Sequence, residues 1–103
     1  MIIADGYVYG RFWGGGSGLY RARTLKGHTK KELMNEVKNS EDIGEFDSGM
    51  GFEKVTAVIY RLKEEKYKNG WHMEKELDYI IEENRGTPEK EYLEFEEFVL
   101  NGQ

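Results

Sequence analysis

The chain has 103 residues, 38% hydrophobic and 34% charged, with a formal net charge of −5, which suits one domain with one modest core. It contains no cysteine, which excludes a disulfide framework, a thiolate metal site and a Cys nucleophile, and fits a reducing compartment. No apolar run approaches the ~20 residues of a membrane-spanning helix, and MIIADGYVYG lacks the basic region and long apolar stretch of a signal peptide, so the expected location is cytoplasmic.

The first patterned stretch alternates: Tyr7, Tyr9, Arg11 and Trp13 point one way, Val8 and Phe12 the other. GGGSG, Gly14 to Gly18, separates it from LYRARTL, which predicts a hairpin with a flexible five-residue tip. A symmetric loop would set Arg11 against Arg21, and a shift of one residue relieves that repulsion. Thr29 and Glu32 then have capping-box spacing: hydroxyl to the Glu32 amide, carboxylate back to the Thr29 amide. Leu33, Met34 and Val37 follow at helical spacing, with an end near Asn39. Residues 40–52 read as a loop pinned by Ile43, Phe46, Met50 and Phe52.

Asn69-Gly70 lies between two patterned runs, and a type I′ turn there needs φ > 0 at both residues. Folding about it sets Leu62 against Leu77, Tyr60 against Tyr79 and Val58 against Ile81 on one face. On the other face Lys63 meets Glu76 and Arg61 meets Asp78. A helix over residues 73–81 is the rival, through Met73, Leu77, Ile80 and Ile81. The strand template fits better, because Trp71, Met73, Leu77, Tyr79 and Ile81 are apolar at odd positions and the even positions are polar except Ile80. Thr87-Pro88-Glu89 is a helix start, Tyr92, Phe95 and Val99 its apolar stripe widened by Phe98, and Asn101-Gly102 its stop.

The expected fold is therefore α+β in ββα-ββα order, a four-stranded antiparallel sheet with two helices packed on one face. One domain covers residues 1–103: a hairpin and helix over 7–39, the loop 40–52, and a hairpin and helix over 55–102. A duplicated half is conceivable on this order, without a residue-level repeat to support it.

Reactive chemistry is scarce. His28 and His72 have no zinc-type spacing, and Ser17, Ser40 and Ser48 lie in no G-x-S-x-G elbow between strand and helix. GGGSG precedes a strand, not a helix, and lacks the Lys-Ser/Thr of a phosphate loop, so a hairpin tip explains it better. His72, Glu74, Glu76 and Asp78 share a strand face, but alternate residues on a strand stand about 7 Å apart. Arg61 and Lys63 are expected to pair with two of them. A solvated, charge-paired face is the expectation, with no metal, no cofactor and no enzymatic activity.

Charge placement carries the functional expectation. Residues 1–38 hold seven Lys/Arg against three Asp/Glu, and residues 39–103 hold eight against seventeen. Glu82, Glu83, Glu89, Glu91, Glu94 and Glu97 make an acidic surface that resembles a phosphate backbone to a basic channel, although solubility alone explains any single glutamate. The expected function is a non-enzymatic, stoichiometric inhibitor that binds another protein, a nuclease or nucleic-acid-binding protein, in the style of a phage- or mobile-element-encoded anti-defence protein working in the host cytoplasm. Tyr7, Tyr9, Arg11, Trp13, Arg21 and Arg23 supply a second contact surface, or, in the alternative, a platform for single-stranded nucleic acid, bases stacking on the aromatics while Arg holds phosphate. The other alternative is a small-molecule binder with loop 40–52 and Asp47 as a lid. No membrane partner is expected, and the oligomeric state is left open.

Overall fold

The computed structural model describes residues 1–39, 52–68 and 70–101. In chain order these form β1 (Ile2–Phe12), β2 (Ser17–Gly27), α1 (Lys30–Asn39), β3 (Phe52–Lys68), β4 (Trp71–Asn84) and α2 (Glu89–Asn101). The fold is α+β: two helices and a curled antiparallel sheet whose hydrogen-bonded neighbours run β2-β1-β3-β4. Among the described residues no helix is long and apolar enough to cross a membrane.

β3 lies inside the sheet and is apolar on both sides. Val58, Tyr60 and Leu62 join Ala4 and Val8 of β1 and Leu33 of α1 in one buried cluster. Ala57 and Ile59, which point the other way, join Phe95 and Val99 of α2 in a second. The helices therefore cover opposite faces, not one face as expected. The reason lies in the unbroken run from Val55 through Tyr60, buried except for half-buried Thr56: a strand with two apolar faces needs a cover on each. This arrangement also removes the duplication. A two-fold relating antiparallel β1 and β3 stands perpendicular to the sheet and would leave both helices on the same side.

Local starts and turns depart from the expected ones in small, physical ways. The β1–β2 turn is tighter than the five-residue glycine tip: Gly15 N–H donates to the Phe12 carbonyl and Phe12 N–H to the Gly16 carbonyl, both at 3.1 Å. Gly15 and Gly16 take φ of 91° and 79°, values that favour glycine. Ser17 and Gly18 thus belong to β2, and the register sets Arg11 opposite Ser17 and Arg21 opposite Tyr7, with no Arg–Arg pair. At α1, Glu32 N–H donates to Thr29 Oγ1 at 3.2 Å as the capping box requires, while the Glu32 carboxylate accepts from the His28 amide, one residue beyond the expected Thr29. At α2, Thr87 does not cap. Its hydroxyl donates to Thr56 Oγ1 of β3 at 2.7 Å, and the Pro88 carbonyl accepts from Tyr92 N–H.

The β3–β4 hairpin keeps the expected register beside its turn, from Lys68 opposite Trp71 to Lys63 opposite Glu76. A bulge then shifts β4 by two residues, so that Tyr60 faces Ile81 and Val58 faces Glu83, where Tyr79 and Ile81 were expected. A two-residue shift preserves side-chain facing. It brings Ile81 to the α1 side and Ile80 to the α2 side, which accounts for Ile80 being apolar at an even position. The expected ion pairs move one rung along the strand: Arg61 bonds Glu76, and Lys63 bonds Glu74 at 3.3 Å. β1 begins opposite Glu64, so the hairpin beyond that point projects as a two-stranded arm from a molecule 49 × 27 × 21 Å.

Candidate functional site

α2 docks through Tyr92, Phe95 and Val99, whose i, i+3, i+7 spacing puts them over Tyr7, Tyr9, Ala57 and Ile59. The 100° helical step turns Glu89, Glu94 and Glu97 outward and leaves Glu91 half-buried at the flank. The side chains of these four glutamates make no hydrogen bond or ion pair among the described residues. Leu93 and Leu100 are exposed between them, and so is Phe98, expected in the buried stripe but 37% accessible. Phe98 instead lines an open depression with Glu94, Glu97 and Asn101. The outer face of α2 thus sets apolar side chains and exposed Lys90 among carboxylates that have no partner among the described residues. Its C-terminal turn carries no basic residue of its own; Arg61 of β3 supplies the cation, donating to the Val99 carbonyl at 3.1 Å.

The two acidic residues expected from β4 differ from those of α2. Glu82 accepts the Tyr92 hydroxyl at 2.5 Å, and Glu83 pairs with Arg85 at 2.7 Å. Burial, then the Glu82 carboxylate, pushes the Tyr92 phenol well above its ordinary range. Burial and the neighbouring Glu82 charge also raise the Glu96 carboxyl. Three of the six expected acids, Glu89, Glu94 and Glu97, therefore lie on the open side of α2 with Glu91 at its flank, while Glu82 and Glu83 have partners of their own.

The six residues expected to share the N-terminal platform do not stand together. Tyr7 and Tyr9 are half-buried beneath α2, with the Tyr9 and Phe95 rings 5.6 Å apart. Arg11 and Trp13 are exposed at the hairpin tip. Arg21 reaches back to Asp5 at 3.2 Å, not to the glutamates of α2. The Arg23 side chain lies outside the described residues, as do residues 40–51 with Asp47. Phe52 is described, and it is no loop residue: it opens β3, fully buried and stacked on Phe12 at 5.0 Å.

Two features went unnoticed in the sequence. Asp5 is a buried acid in the apolar start of β1, bonded by Thr24 Oγ1 at 3.0 Å, Arg21 at 3.2 Å and Lys63 at 3.3 Å. Burial alone would push its carboxyl up, but the Thr24 hydroxyl and the Lys63 and Arg21 charges outweigh it and hold the group below its ordinary value. Asp5 stays ionised near neutrality and ties three strands together; a lone charge within IIADGYVY was the available sign. The second feature is the arm, where Tyr67, Trp71 and Met73 are 72%, 75% and 57% exposed. Alternation puts Trp71 and Met73 on the apolar side of β4, but the unequal strand lengths, 17 residues in β3 against 11 in β1, leave nothing described to cover them.

No protein-family model, curated protein or solved structure matches this chain. The functional reading therefore rests on these surfaces alone.

Proposed function

We propose that the protein is a non-enzymatic binding protein that uses the outer face of α2 to occupy a basic, nucleic-acid-binding surface of another protein, acting as a stoichiometric inhibitor of a nuclease or related factor. The observation that carries this reading is the set Glu89, Glu91, Glu94 and Glu97: four carboxylates without partners among the described residues, interleaved with exposed Leu93, Phe98 and Leu100. Carboxylates steer association with Lys/Arg clusters that otherwise hold phosphate, and desolvated apolar side chains supply contact energy. A phage or mobile-element origin and action in the host cytoplasm accord with this role. The same reading takes the sheet as four long strands in ββα-ββα order, each bulge being a break within a strand. Direct single-strand binding through the N-terminal hairpin has less support, because Tyr7 and Tyr9 pack under α2 and Arg21 is engaged by Asp5.

The test is immobilised protein exposed to a bacterial lysate at low salt, then washed with double-stranded polynucleotide. The expected result is a retained nucleic-acid-binding protein that polynucleotide elutes and whose activity the purified chain blocks at a one-to-one ratio. Retention that polynucleotide does not disturb, or capture of nucleic acid itself, would count against the reading.

A further inference from the structure

We propose that the projecting arm binds one divalent transition-metal ion of the zinc class between Glu65, His72 and Glu74. This site is separate from the outer face of α2 and does not depend on its role.

Along β4 alone, alternate acids stand too far apart to share an ion. The missing ligand comes from across the hairpin. Glu65 pairs directly with Glu74, and Tyr67 with His72, so the rungs place Glu65, His72 and Glu74 on one side of the ribbon. His72 Nε2 lies 2.9 Å from Glu65 Oε2 and 3.7 Å from Glu74 Oε1, and one ligand atom from each of the three falls within 4.8 Å of the others. Ligand atoms about 2.0–2.1 Å from a tetrahedral ion stand roughly 3.3–3.4 Å apart, so the two histidine edges already bracket the required length.

The surroundings favour coordination over a solvated charge cluster. Lys63 holds Glu74 through Oε2 at 3.3 Å and leaves Oε1 turned toward the imidazole, the outer-shell positioning that metal carboxylates use. Lys63 is itself balanced by Asp5 at 3.3 Å, so it does not neutralise the pair of carboxylates. The Tyr67 ring packs on the imidazole at a centroid distance of 5.0 Å and limits its rotation. The Glu65 side chain is only 14% exposed, and its carboxylate has His72 as its sole partner among the described residues. One nitrogen and two oxygens are too few for calcium, which takes 6–8 oxygens, and suit zinc or its neighbours with water completing the sphere.

Calorimetric titration of the intact chain with zinc chloride at neutral pH, in a buffer that does not bind zinc, tests the proposal. One ion per chain is expected, with affinity falling at least about tenfold in Glu65→Gln and further in His72→Ala. His28→Ala, which alters the only other histidine, should bind as the wild type does. In nitrogen-detected NMR the His72 Nε2 resonance should shift on adding zinc and return on adding chelator. Circular dichroism of each variant separates lost ligands from lost folding. No saturable heat, binding unchanged in His72→Ala, or loss in His28→Ala would each overturn the site.

Discussion

The two faces of the sheet solve the same problem differently. On the α1 side the apolar surface of β3 extends through Val58, Tyr60 and Leu62. On the α2 side it stops at Ile59, and the next residues facing that way are Arg61 and Lys63, joined to Glu76, Glu74 and Asp5. One face is sealed by packing; the other is apolar only beneath α2 and ionic beyond its C-terminus. A helix seated on the mixed face must carry its own polar outer surface, and α2 does so mainly with carboxylates, Lys90 being its one basic side chain.

Removing each helix's anchor tests whether both faces are core. Leu33→Ala under α1 should cost about 2–5 kcal/mol and Phe95→Ala under α2 about 3–5 kcal/mol, read from urea denaturation. A near-neutral Phe95→Ala would mean that α2 is an appendage and that only one face holds the fold together.

A smaller effect isolates the ionic half of the α2 face. Asp5→Asn removes charge-assisted bonds to Arg21, Lys63 and Thr24 and should cost roughly 1–3 kcal/mol at neutral pH. Its folded carboxyl lies below the ordinary value near 3.8, so its contribution is complete above that value and disappears as pH falls through the lower, folded one. The substitution should therefore flatten the acid limb of the stability profile below about pH 4. An unchanged acid limb would show that Asp5 is not a keystone of that face.

The smallest effect has the opposite sign. The Glu96 carboxyl is raised above 4.5 by burial and by Glu82, so its charged form opposes folding near neutrality and protonation relieves it as pH falls toward 4.5. Glu96→Gln should stabilise the protein at pH 7 by about 0.5 kcal/mol or less, with the gain shrinking as pH falls through the raised value and gone only below the ordinary carboxyl value. A loss of stability at pH 7 would show that Glu96 assists α2 docking instead of straining it.

Much of this architecture was legible in the residues because local chemistry specified it. Thr29 and Glu32 started α1, Gly70 turned the second hairpin, and Tyr92, Phe95 and Val99 marked the docked side of α2. What escaped was non-local. The two-residue bulge opposite Leu62 has no residue that announces it, and the siting of the helices follows from β3 being interior, a fact of strand order. The acids of α2 were readable as a solvent-facing set; the metal-ligating trio follows from the expected Lys63–Glu76 register, which already sets Glu65 against Glu74, but spacing along β4 alone does not show it.

The account turns on the outer glutamates of α2 steering the protein to a basic partner. Association kinetics with the polynucleotide-eluted partner, measured across ionic strength for the wild type and for Glu91→Lys, Glu94→Lys and Glu97→Lys combined, address this directly. The account predicts a wild-type on-rate that falls steeply with salt and a triple variant, still folded, that associates at least about tenfold more slowly with little salt dependence. Equal on-rates with the same salt slope for both proteins would contradict it.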